Sequence, residues 1–163
     1  MRAVTALRIL SLGVLMALCL LAGATSVVAK GPVDKITIAG ADGPGPLEVT
    51  EGEGLGEFNP WGQVFLGECL DAAPAMAAPA TVTMYLKEEP GKLVPVYRFS
   101  YVTDAGGGYV HVPGRGDVDY ELNKTTIITE KDGKWFRASA GWVAFVAEAS
   151  RVRPPATGDG GLR

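Results

Sequence analysis

Residues 81–112 read TVTMYLKEEPGKLVPVYRFSYVTDAGGGYVHV, and the alternation in this stretch decides the fold. Between Thr81 and Lys87, Val82, Met84 and Leu86 fall on one face and Thr81, Thr83, Tyr85 and Lys87 on the other. A period of two marks a half-buried strand. Pro90-Gly91 turns the chain. Leu93 to Val102 continues as a second strand, with Tyr97, Phe99 and Tyr101 sharing a face. Asp104 to Gly108 is a glycine turn, and Tyr109 to Val112 is a third strand. Consecutive strands joined by short turns imply an antiparallel meander. The predicted class is α+β, mainly β.

On the N-terminal side, Lys35 to Ala39 carries β-branched residues between turn formers and is predicted as a strand, with Leu47 to Thr50 as its short partner. Gly40 to Pro46 is dense in turn formers and reads as a loop. Glu51 to Gly67 mixes glycines and acids with Phe58, Trp61, Phe65 and Leu66. It reads as a loop that docks its aromatics on the core. Ala72 to Ala80, with Pro74 and Pro79, is a linker or surface loop.

On the C-terminal side, Val118, Tyr120 and Leu122 alternate with Asp117, Asp119 and Glu121, which suggests a further strand. Thr125 to Thr129 and Lys134 to Ala138 flank Lys131-Asp132-Gly133 as a hairpin would. The period then changes. Trp142, Phe145, Val146 and Ala149 lie at helical spacing, so a helix is predicted over Ala140 to Arg151 with Ser139 as its cap and Pro154-Pro155 as its stop. That helix should cover one face of the sheet, which needs a second layer.

The first 29 residues have the order of an export signal. Arg2 and Arg8 precede an apolar run from Ile9 to Ala22, and small residues lead to Val27-Val28-Ala29. Cleavage after Ala29 leaves 134 residues, with residues 30–153 as one β-rich domain and 154–163 as a disordered tail. The alternative is an uncleaved anchor, because residues 9–29 are long enough to span a bilayer. Cys19 lies inside the apolar run, not at its end, which argues against lipid attachment. Loss of Arg2 and Arg8 leaves 13 basic residues against 18 acidic ones, a net charge of −5. Such a chain lacks the basic face that nucleic acid requires. Its remaining cysteine, Cys69, has no intramolecular partner, so an apolar core must hold the domain.

Chemistry-bearing residues are few. His111 is the only histidine, so histidine acid–base chemistry must use it. Serine–histidine catalysis would need Ser100, Ser139 or Ser150 beside it, and none sits in a nucleophile elbow. Acids flank Cys69 and would raise its thiol pKa, which disfavours a Cys69–His111 pair. One histidine and one cysteine cannot complete a zinc site without carboxylates. Asp117, Asp119 and Glu121 at period two are calcium candidates, though alternating acids are commonly the wet face of a strand. Tyr97, Phe99 and Tyr101 form either an exposed row that binds a ligand or the core face under the helix. Gly106-Gly107-Gly108 precedes a strand, not the helix a phosphate cradle needs. Arg115-Gly116-Asp117 is a chance tripeptide in a chain of this composition. Asn123-Lys124-Thr125 is a glycosylation sequon.

At Lys35-Ile36-Thr37-Ile38-Ala39-Gly40, Pro46-Leu47-Glu48-Val49-Thr50 and Asp132-Gly133-Lys134-Trp135-Phe136-Arg137-Ala138, the chain resembles a group of uncharacterised exported bacterial proteins. The resemblance implies a bacterial source and export, and it carries no activity. The expectation is a secreted or envelope protein without cofactors that binds an envelope protein or a glycan. The alternatives are a small hydrolase using His111 with a carboxylate, and a domain tethered to the membrane through residues 9–29. An intact mass beginning at Lys30, from periplasm or medium, is the expected outcome. A full-length mass in the membrane fraction would establish the anchor instead.

Overall fold

The computed structural model describes residues 31–40, 45–52, 54–74, 78–88 and 90–152. The export signal expected at residues 1–29 and the tail expected at 154–163 lie outside them. Seven strands form one antiparallel sheet: β1 (Lys35–Ala39), β2 (Leu47–Val49), β3 (Leu66–Leu70), β4 (Ala80–Glu88), β5 (Lys92–Asp104), β6 (Gly107–His111) and β7 (Trp135–Ala138). Their order is β2-β1-β4-β5-β6-β7-β3. Strands β4 to β7 are a meander of sequential neighbours; β4 to β6 follow the predicted alternation, while β7 pairs directly with β6 and not with residues 125–129. Helix α1 (Tyr120–Thr126) leans on β5, and helix α2 (Ala140–Val152) packs on the sheet. Strand β3 falls where a loop was expected to end. It pairs with β7 through a register shift between Leu66 and Cys69.

The period-two pattern sorts the two faces. Ile36, Met84 and Tyr97 lie in register across β1, β4 and β5, as do Ile38, Val82 and Phe99. All six are buried, together with Tyr101, Val110 and Phe136. Trp142 of α2 drops into this face and has no exposed surface. Its ring meets Phe99 at 5.5 Å, Phe58 at 5.2 Å and Tyr101 at 5.9 Å, the last edge to face at 90°. Phe65 stacks flat on Phe99 at 4.6 Å. The loop before β3 thus delivers Phe58 and Phe65 to the core, as expected. The Oγ of Ser139 accepts the Trp142 N–H at 3.2 Å, which caps α2 where the sequence places its start. Gly108 makes room for this packing. A Cβ there would stand 2.9 Å from the Tyr101 ring and 3.0 Å from the Ala138 Cβ.

The segment after β6 departs from the sequence reading. Residues 117–122 are not a strand, and 125–129 are not half of a hairpin. Gly116 takes a positive φ of 104° and the Asp117 carboxylate accepts the Gly114 N–H at 2.8 Å, so the chain turns before α1 begins. Tertiary contact overrides the alternation. Strand β6 pairs with β5 as far as His111 opposite Ser100. Continuing that register would put Pro113 opposite Arg98, and proline has no N–H to donate. Asn123 takes the missing strand's place. Its Oδ1 accepts the Arg98 N–H at 2.8 Å, and its Nδ2 donates to the Arg98 carbonyl at 2.7 Å. The Thr126 hydroxyl donates to the Val96 carbonyl further along β5. Asn123 is 1% exposed, so the sequon nitrogen is closed to a glycosyltransferase in the folded chain.

Two part-buried backbone groups therefore depend on one side chain. Asn123→Ala is expected to lower the unfolding free energy by about 2–4 kcal/mol, since an orphaned buried group costs about 1–3 kcal/mol and these two, which water partly reaches, fall in the lower part of that range. Urea denaturation of the purified domain measures it. A loss below that range would show that water replaces the amide.

Candidate binding face

With one sheet face filled by aromatics, the chemistry lies on the other. Strand geometry places every second residue there. Thr81, Ser100, His111 and Trp135 are in register across β4, β5, β6 and β7. All four are half-buried. The His111 and Trp135 rings lie 4.9 Å apart at 30°, a tilted cross-strand stack. On one side of this row come Thr83 and Arg98, and on the other Val102, Tyr109 and Arg137. Arg137 is exposed and lies over the Tyr109 ring at 5.7 Å.

Arg98 anchors the row to α1. Its Nε donates to the Thr83 hydroxyl at 3.0 Å, and its Nη1 meets the Asp119 carboxylate at 2.7 Å. The two side chains retain 33% and 29% of their exposure, so the pair is screened on one side only. The same helix that completes β5 with Asn123 thus brings Asp119 to Arg98.

The sequence-derived candidates fare differently. Tyr97, Phe99 and Tyr101 are buried at 0%, 1% and 4% exposure and contact Phe65 or Trp142, so they are the core face and not an exposed binding row. Burial raises the pKa values of Tyr97 and Tyr101. The calcium candidates do not share a strand face. Asp117 is held by Gly114, Asp119 pairs with Arg98, and Glu121 pairs with Lys124 on α1. No cluster of three metal-binding side chains occurs among the described residues. Cys69 is a free, exposed thiol on edge strand β3.

His111 does lie on the outer face, and the structure adds neighbours that sequence spacing concealed. Ser100 stands directly opposite it, and Asp117 is near enough to act on its charge. These three residue types invite comparison with a serine–histidine–acid set. The imidazole makes no hydrogen bond to either among the described residues. Burial depresses the His111 pKa, and Asp117 opposes the shift without reversing it. A mid-strand serine also lacks the free N–H groups that stabilise an oxyanion, because its neighbours' amides serve the sheet.

Trp135, Thr81, Ser100, Arg98 and Asp119 were not singled out from sequence as a group. The signal was present on β5. Arg98 and Ser100 alternate with Tyr97, Phe99 and Tyr101, so assigning the aromatics to the core sends the polar pair outward. No protein family, curated protein or solved structure matches the chain. The face must be judged by its own chemistry.

The depressed pKa has a stability consequence. The unfolded imidazole protonates first, near pH ~6.5. Its contribution is therefore complete above that value and is lost as pH falls through the lower folded value. Between about pH 7 and about pH 5, the urea midpoint of the wild type is expected to fall more than that of His111→Gln. Equal slopes would show that the imidazole titrates as freely folded as unfolded.

Proposed function

We propose that the protein is an exported, non-catalytic binding domain whose recognition surface is the sheet face around Thr81, Ser100, His111 and Trp135. The export signal at residues 1–29 supports delivery to the envelope or medium. One observation supports binding above all. A row of hydrogen-bonding and aromatic side chains, one from each of four adjacent strands, is left half-open on the face opposite the packed helix. A rigid sheet holds these groups in fixed register, which is what recognition demands. Helix α2 and the aromatic loop are both used on the other face, while α1 reaches this one at Arg98 through Asp119.

The hydrolase reading keeps one supporting observation, the Ser100–His111 register with Asp117 close by. The absence of hydrogen bonds among the three and the lack of an oxyanion site weigh against it. Two measurements separate the readings. The exported protein is expected to co-sediment with isolated cell envelopes, and Trp135→Ala is expected to stay in the supernatant while keeping its circular dichroism. A serine-directed fluorophosphonate is expected to leave Ser100 unlabelled. Labelling of Ser100 that disappears in His111→Ala would establish the hydrolase.

A further inference from the structure

We infer that the ligand of this face is an uncharged oligosaccharide lying across the strands; the inference rests on the binding reading above. The groups offered are mixed donors and acceptors with balanced charge. Threonine and serine hydroxyls do both jobs, and a neutral imidazole presents one nitrogen of each kind. Burial lowers the His111 pKa and so favours the neutral form. Arg98 and Asp119 already neutralise each other at 2.7 Å, yet both retain exposed edges. A guanidinium has five N–H donors, and Arg98 commits two of them to Thr83 and Asp119. Sugar hydroxyls, which also donate and accept, complement such a surface without bringing a charge.

Other ligands fit less well. A polyanion wants uncompensated cations, and this chain carries a net charge of −3. Arg137 is an exposed cation in the neighbouring row, so a charged glycan is the informative control. A protein partner wants large apolar anchors at the centre of the patch. The large exposed apolar residues Val64, Leu93, Val118 and Ile128 do not belong to this row. Size points the same way. Four strands at about 4.8 Å spacing carry the row over roughly 14 Å, which suits a short chain of sugar rings better than a single one. The Trp135 ring closes one end and supplies apolar surface for the C–H side of a sugar.

The test is calorimetric titration of the exported protein with neutral hexasaccharides of glucose, mannose, galactose and N-acetylglucosamine, and with hexagalacturonate as the charged probe. At least one neutral probe is expected to bind, with little change on adding salt. Trp135→Ala is expected to weaken that binding by about tenfold. Thr81→Val and Ser100→Ala are small substitutions on the same face and should weaken it while leaving the urea midpoint near wild type. Salt-sensitive binding of hexagalacturonate alone, or binding of an envelope protein alone, would overturn the inference and leave the binding face standing. No binding by any neutral probe would overturn it as well. Neutral binding indifferent to all three variants would overturn both the inference and the location of the binding face.

Discussion

The seating of Trp142 determines how the rest of the molecule is used. A sheet with two equivalent faces has no reason to present one of them. Here the ring of Trp142 enters a bed of Phe58, Phe65, Phe99 and Tyr101, and none of its surface remains in contact with water. Burying one large aromatic side chain contributes on the order of 2–3 kcal/mol relative to leaving it exposed. Several rings are buried together, so the helix is confined to that face. The packing is strong enough to tolerate two polar atoms, the Tyr101 hydroxyl and the Trp142 indole N–H, buried without a protein partner among the described residues. Once that face is closed, the outward alternates of the same strands are what the fold has left to work with.

A second constraint shapes the face that remains. Strand β6 gives way after His111, with Pro113 ahead, and the edge of β5 that faces away from β4 continues without a strand beside it. The chain resolves this with a side chain instead of a strand: Asn123 makes both bonds that a paired residue would have made to Arg98. That amide comes from helix α1, and the N-cap residue of the same helix, Asp119, lies 2.7 Å from the Arg98 guanidinium. A requirement of backbone hydrogen bonding and a feature of the candidate site therefore share one cause. Changing Asn123 would disturb the face as well as the fold.

Most of the sheet is legible in the sequence because period two is a direct imprint of the buried face. Strand β1 runs over Lys35 to Ala39 as expected, and α2 starts after its Ser139 cap. The failure at residues 117–122 has a clear physical origin. Asp117, Val118, Asp119, Tyr120, Glu121 and Leu122 alternate as a strand would, but local alternation says nothing about whether a neighbouring strand is available. The need that decides the segment sits 25 residues earlier, at Arg98, and is met by Asn123. The candidate site was harder to see for a related reason. Thr81, Ser100, His111 and Trp135 are far apart in sequence and meet only through register. Aromatic residues drew attention to the wrong side of β5, where large rings are drawn inward by burial.

The chemistry of His111 follows from that register. A catalytic base needs a proton path to a nucleophile and a partner that holds its charged form. His111 has Ser100 across the ladder and Trp135 against its ring, while the Asp117 carboxylate accepts the Gly114 N–H. Burial in this setting favours the neutral imidazole. A neutral imidazole is a hydrogen-bonding group that offers one donor and one acceptor. Beside two hydroxyls and a compensated ion pair, it fits the proposed surface, one that would discriminate by shape and hydrogen bonding more than by net charge. That combination is the basis of the proposed recognition of an uncharged polyol, in which the imidazole orients a hydroxyl and moves no proton.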